Sequence, residues 1–257
     1  MPWNPEQYRK FKEERFLPFA DLMSLVRIRA GMTVLDLGCG TGELTVRLVD
    51  QLPDSRVTGR DSSATMLEKA RERAHPRVDF APGSVEDAAG QWDLVFSHAV
   101  LHWVGDHPRL VPRLLALLRP GGQLAVQVPA NHRAPSHTLI VETAREEPFC
   151  RALGGWVRHS PVLEIDDYAH LLHQAGAEEI TVLEKAYHHQ LPDADAVAEW
   201  TAGTTLVPYF ERLPEDLHEP FLERYRAKLR AVWPEQPLFF TFRRILLAAT
   251  RPAALER

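Results

Sequence analysis

The sequence predicts a doubly wound α/β fold, a mostly parallel sheet with helices on both faces and a helical segment inserted between its last two strands. Three observations lead there. Short apolar runs alternate with helical patterns from Thr33 to Val128, as in strands joined by helical crossovers. The first run, Val34–Leu37, passes straight into the glycine-rich turn Gly38-Cys39-Gly40-Thr41-Gly42. The stretch from Leu191 to Pro237 is helical in pattern and too long for a hairpin loop.

Each element has its own signal. Val34–Leu37 is the first strand and Glu43–Gln51 the first crossover helix. Arg56–Arg60 is the second strand, followed by Ser63–Ala74, a helix with a serine placed to cap it. Val78–Ala81 makes a short third strand. Asp93–Ser97 is a fourth, apolar between its ends, as a strand covered on both faces should be. Pro108–Leu118 is helical, and Pro120-Gly121-Gly122 turns the chain into a fifth strand, Gln123–Val128. Glu164–Ala175 reads as a helix stopped by Gly176, Glu179–Glu184 as a strand and Arg244–Thr250 as the last strand. Pro129 to Leu163, rich in Pro, His and Arg, stands outside the alternation. Between Leu191 and Pro237 apolar residues recur at helical spacing: Val197, Trp200, Leu206, Phe210, Leu217, Phe221, Tyr225 and Leu229.

The expected organisation is therefore an amino-terminal helical segment, 1–30, closing over the site, a core of 31–190 and 238–251, and the insertion 191–237. The insertion is either a lid over a pocket at the strand ends or an added helical layer.

A chain of 257 residues can bury a full core. The net charge of −5 argues against nucleic acid as a partner, since phosphate binding leaves a basic footprint. Two cysteines, Cys39 and Cys150, provide no disulfide framework and suit a reducing cytoplasm. Met1 to Phe16 lacks a signal-peptide core, and no apolar run approaches a membrane span, so no membrane partner is expected. Oligomeric state leaves no signature. Of twelve histidines, His98 and His102 are spaced i,i+4 and His188-His189 is adjacent. Neither pair brings the carboxylate or cysteine partners of a metal site, so no metal is expected.

The glycine turn is the main functional signal. Glycines let the backbone bend sharply and approach a ligand closely. Asp36 precedes the first glycine by two residues, and Asp61 closes the next strand about twenty residues after the turn, the spacing of a ribose clamp. A dinucleotide fingerprint would carry a third glycine where this chain has Glu43, and a carboxylate there opposes a pyrophosphate at the helix end. The order Asp36, Gly38, Gly40, Gly42 suits an adenosine-bearing ligand without phosphate. A nicotinamide-dependent oxidoreductase and a non-catalytic scaffold are the alternatives from other classes.

Further motifs extend this reading. Gly59-Arg60-Asp61-Ser62-Ser63 with Met66 and Ala70, Trp92-Asp93-Leu94-Val95-Phe96-Ser97, and Leu118-Arg119-Pro120-Gly121-Gly122 resemble the second-, fourth- and fifth-strand motifs of Rossmann-like S-adenosylmethionine-dependent methyltransferases. The flanks are more specific. Trp3-Asn4-Pro5, Tyr8, Phe11, Glu14-Arg15 and Pro18 resemble the amino-terminal segment of the trans-aconitate 2-methyltransferase family. The likeness continues through Leu101-His102-Trp103, Val126-Gln127, Pro129, Asn131, Pro135 and His137. It returns at His189-Gln190, Pro192, Trp200, Pro208, Arg224-Tyr225, Phe242 and Arg244.

The resemblance implies a class I methyltransferase sheet, S-adenosylmethionine as cofactor with S-adenosylhomocysteine as product, and a methyl ester formed on a small polycarboxylate, trans-aconitate first. Another small-molecule acid or an oxygen or nitrogen nucleophile is the alternative acceptor. Carried onto this chain, the cofactor-binding residues are Asp36, Gly38, Cys39, Gly40, Asp61, Ser62, Met66, Ser84, Val85 and Ser97. The acceptor-binding residues are Tyr8, Arg15, Trp103, Asn131, His189 and Arg244. Trp103 is either a donor or a core tryptophan, Asn131 an orienting donor or a turn residue, and Arg15 a pocket cation or half of a surface ion pair. No catalytic acid or base is expected, because a carboxylate nucleophile is already ionised at neutral pH. The chain departs from the pattern at Ser84, where the class has an acid that accepts from the adenine amino group. It departs also at His102, expected as glutamine, and at Ala130 and His132, which replace an acid and a tryptophan.

Overall fold

The computed structural model describes Phe16 to Ala253; Tyr8 and Arg15 lie outside the described residues. Helix α1 (Phe16–Met23) leads into β1 (Thr33–Leu37), α2 (Glu43–Asp50), β2 (Arg56–Asp61), α3 (Ala64–Arg71), β3 (Val78–Pro82) and β4 (Trp92–His98). A 3-10 turn, Leu101–Trp103, precedes α4 (His107–Ala116) and β5 (Leu118–Pro129), and a second, Glu215–Leu217, comes later in the chain. Then come α5 (Pro135–Ala144), α6 (Phe149–Ala152), α7 (Ile165–Gln174), β6 (Glu178–Leu191), α8 (Asp195–Ala202), α9 (Val207–Phe210), α10 (His218–Val232) and β7 (Leu238–Thr250).

The strands form one seven-stranded sheet in the order β3-β2-β1-β4-β5-β7-β6. From β3 to β5 neighbouring strands are parallel, and β7 runs antiparallel to β5. The order reverses between β1 and β4, the switch point beyond whose strand ends ligands bind in such sheets. Burial explains the central strands: Val34, Leu35, Leu37, Leu94, Val95 and Phe96 are all inaccessible, as both faces are covered. On one face α1 contributes Phe19, Leu22 and Met23, which pack with Val34, Phe96, Ala125 and Leu246. Phe19 meets Phe96 edge-on, ring centres 5.7 Å apart.

The chain forms two compact units. The described part of the sheet unit is Leu17–Pro129, Pro161–Lys185 and 244–253. The described part of the second unit is Phe16, Ala130–Ser160 and Ala186–Arg243. Its core gathers Leu139, Ile140, Phe149, Val197, Tyr209 and Phe221 around α10, whose buried residues Phe221, Tyr225 and Leu229 recur every fourth position. The Tyr225 hydroxyl donates to the Ser136 carbonyl at 2.8 Å, tying α10 to α5.

Two differences from the sequence reading are physical. The last two strands are longer than expected: β6 continues seven residues past Glu184 and β7 starts six before Arg244. In the extension of β7, buried Leu238, Phe240 and Phe242 alternate with more exposed neighbours. The segment Pro129–Leu163, which stands outside the sequence alternation, contains α5 and α6, with Pro135 in the first turn of α5, where its missing N–H is harmless.

Candidate functional site

The glycine turn at the end of β1 is held by the end of β2. Gly38 and Cys39 N–H both donate to the Arg60 carbonyl, at 2.7 and 3.0 Å. Gly38, Gly40 and Gly42 all have positive φ, at 76°, 54° and 73°. They differ in surroundings. A Cβ at Gly38 would lie 2.1 Å from a Val100 methyl group, so the backbone there passes tightly under the loop after β4. At Gly40 a Cβ would meet no atom of the described residues within 4 Å, so they leave that stretch of backbone open to approach.

Asp61 is held in place by the backbone. One carboxylate oxygen accepts from Gly40 N–H at 2.9 Å and the other from Ser63 N–H at 2.8 Å. A carboxylate has about four acceptor positions, so each oxygen keeps one for a further donor. The next turn supports this: the Ser63 hydroxyl accepts from Met66 N–H at 3.4 Å and caps α3. Ser62 is exposed and Met66 half-buried.

Asp36 is buried behind the turn and accepts from the Thr45 hydroxyl of α2 at 2.6 Å. Burial, opposed by that hydrogen bond and reinforced by the nearby Asp61 charge, pushes Asp36 up to about 6. Burial and the same two carboxylates push the Cys39 thiol far above its ordinary range, so it stays protonated. The site is thus a glycine-lined bend beside two carboxylates. Sequence reading missed Thr45; a lone hydroxyl on the buried side of α2 is the signal it left.

The other expected cofactor residues are less closely gathered. The Ser84 hydroxyl donates to an Asp87 oxygen at 2.9 Å and accepts from Asp87 N–H at 3.2 Å, closing a local turn. Val85 is buried, and its carbonyl accepts from Arg113. Ser97 is buried in β4 with its hydroxyl donating to the Leu37 carbonyl at 3.0 Å, so that group stitches β4 to β1.

The expected acceptor residues divide between the units. Trp103, in the 3-10 turn after β4, is 47% exposed, which sets aside the core-tryptophan alternative, and its ring lies 4.9 Å from that of His102. Arg244 is buried on β7, opposite Pro129. In the second unit His189 packs against Trp200, ring centres 4.8 Å apart. Asn131, also there, has its amide engaged by the backbone: Nδ2 donates to the Arg243 carbonyl and Oδ1 accepts from Arg243 N–H, both at 2.9 Å. That clasp carries the β5–β7 pairing one step further and corresponds to the turn-residue alternative. Among the described residues no group of three His, Cys, Asp or Glu side chains is arranged to hold a metal ion, and no helix is long and apolar enough to cross a membrane.

Known proteins share this architecture. The profile of a family described as a methyltransferase domain matches residues 8–182. Trans-aconitate 2-methyltransferase of Deinococcus radiodurans is 47% identical, covering 98% of this chain and 99% of that protein. The protein of the same name from Paracidovorax citrulli is 39% identical over the same shares, 98% and 99%. Among solved structures, the YcgJ protein of Bacillus subtilis superposes with a TM-score of 0.62 at 15% identity, covering 93% of this chain and 100% of that one, a likeness of fold alone.

Proposed function

This chain belongs to the trans-aconitate 2-methyltransferase family, and we propose that it forms a methyl ester on a small polycarboxylate, trans-aconitate first, using S-adenosylmethionine. The observation that carries the reading is the pair of carboxylates, Asp36 and Asp61, beside the open backbone at Gly40. Two acids suit a cationic nucleoside and repel a dinucleotide pyrophosphate. A cation near Asp36 favours the ionised form that burial disfavours. The two acceptor positions left on Asp61 match the vicinal hydroxyls of a ribose. Met66 and Val85 would supply apolar contact to the base, and Ser62, Ser84 and the backbone at Cys39 and Ser97 would complete the set that holds the cofactor. When bound, S-adenosylmethionine supplies a sulfonium methyl, which a carboxylate oxygen takes to give the ester and a neutral thioether.

The protein's task is alignment. A carboxylate with a pKa near 4 is ionised at neutral pH, so no base is required. Converting an encounter of two molecules into an intramolecular step is worth up to about 7–11 kcal/mol. Trp103 and Arg244 are assigned to orient the acceptor, the first as an indole N–H donor and the second as a planar cation suited to a carboxylate. The test is labelled methyl transfer from S-adenosylmethionine to a panel of di- and tricarboxylates, with base hydrolysis of the product to confirm an ester. Preference for trans-aconitate supports the reading. Binding of S-adenosylmethionine without transfer to any carboxylate overturns the acceptor assignment and leaves the cofactor in place.

A further inference from the structure

We infer that the carboxamide of Gln127 binds a non-reacting carboxylate of the acceptor and so helps select it, an inference that rests on the acceptor reading above. Gln127 sits near the carboxyl end of β5 and is fully buried, yet among the described residues neither its Nε2 nor its Oε1 has a hydrogen-bond partner. Burying an amide without partners is costly, and folded chains rarely tolerate it where nothing will fill the gap. The same strand shows the ordinary solution. Gln123, on the same face four residues earlier, has its Oε1 satisfied by Arg27 N–H at 2.8 Å.

The register fixes what surrounds Gln127. It pairs with His98 of β4 on one side and Leu246 of β7 on the other. Successive side chains along a strand alternate faces, so Gln123, Ala125 and Gln127 share one face, with Phe96 and His98 beside them. Ala125, Phe96 and Leu246 pack with Phe19 of α1, which identifies that face. Arg244, two residues before Leu246 on β7, belongs to it too and is buried. A buried amide and a buried guanidinium thus occupy neighbouring positions at the end of the parallel strands. Asp36 pairs with Phe96 across β1 and β4, so the glycine turn lies level with His98, two strand spacings from Gln127. That is on the order of 10 Å, a span a small polycarboxylate can bridge.

The chemistry favours a carboxylate over other ligands. The amide offers two N–H donors and no charge, and Arg244 adds a planar cationic fork. One cation with one neutral donor holds a carboxylate firmly without a second buried charge. Donors of this strength would blunt a nucleophile, so the group they hold is one that does not react.

Gln127→Met keeps the approximate volume and removes both polar atoms. The expected result is a KM for trans-aconitate raised about ten- to hundredfold, with kcat within about threefold, S-adenosylmethionine affinity by calorimetry unchanged and the apo Tm higher than wild type. Gln127→Glu, of the same shape, covers the case in which the first variant does not fold. It should raise KM further at pH 7.5 and recover as pH falls and the carboxyl is protonated. An unchanged KM in either variant, alongside normal wild-type turnover, overturns the inference alone. A wild type that binds S-adenosylmethionine but methylates no carboxylate overturns the reading beneath it, and the inference with it.

Discussion

The ends of β1 and β2 and the end of β5 belong to the same sheet and are built differently. At the first, Asp61 accepts from the Gly40 and Ser63 N–H groups and Asp36 accepts from the Thr45 hydroxyl, so both carboxylates are held by hydrogen bonds within the fold. At the second, Gln127 is buried with its amide unmatched. The difference separates two ways of preparing for a ligand. Where the fold itself orients the binding groups, damage should lower stability and affinity together. Where a polar group is kept in reserve, removing it should raise stability and lower affinity, the trade found at many functional sites.

Asp61→Ala should produce the largest effect. It removes the two charge-assisted contacts proposed to ribose, about 3–6 kcal/mol, and also deprives Gly40 and Ser63 N–H of their acceptor. Calorimetry should show S-adenosylmethionine binding weaker by at least about a hundredfold, with a lower Tm; an unchanged Kd would remove the ribose assignment. Gly38→Ala comes next, at about 4 kcal/mol of stability, since the new Cβ meets the stiff Val100 side chain at a positive φ. Gly40→Ala has only the backbone cost of about 1 kcal/mol, yet it should weaken cofactor binding because its Cβ fills the open approach. Equal Tm losses in the two variants would refute this distinction.

Asp36→Asn tests the comparison from inside the first region, because Asp36 combines a good hydrogen bond with an uncomfortable charge. The folded state holds its proton more tightly than the unfolded chain, so ionisation subtracts from stability as pH rises from about 4 to 6. The penalty of about 3 kcal/mol is full at pH 7.5. Asn removes it and still accepts from Thr45. Urea unfolding should find the variant more stable than wild type at pH 7.5, with the gap narrowing toward pH 4, while cofactor binding weakens; a gap independent of pH would discard the account. Asn131→Ala, the smallest effect, should cost about 2 kcal/mol of stability and leave the KM for trans-aconitate nearly unchanged. A KM shift without a stability loss would return Asn131 to the acceptor.

Much of this was legible in advance. The parallel strands are runs such as Leu94–Phe96, where two-sided burial writes continuous apolar sequence, and Val34–Leu37, interrupted only by Asp36; the glycines and Asp61 carry their own spacing. The unread parts are those where tertiary context overrode local pattern. The extension of β6 through His188-His189-Gln190 looks polar because it is only partly covered, and α5 begins at a proline in a segment whose composition suggests a loop. Ser84, Ser97 and Asn131 show why residue type alone assigns roles poorly: each hydroxyl or amide has a partner within the fold that only coordinates reveal. Gln127 is the converse, a residue marked by the partner it lacks.

The position of β7 bears on how the chain is made. It follows β6 in sequence, yet it lies between β5 and β6, with Leu246 in the same core as Val34. While the protein emerges from the ribosome, β5 therefore presents an open edge until β7 has been synthesised, an invitation to pair with other chains. The distant pairing of Gln123–Pro129 with Arg244–Thr250 also makes the closing step one of high contact order and so a slow one. A nascent chain stalled before Leu238 should be a client for chaperones, and a stop codon there should yield aggregate rather than a shortened enzyme.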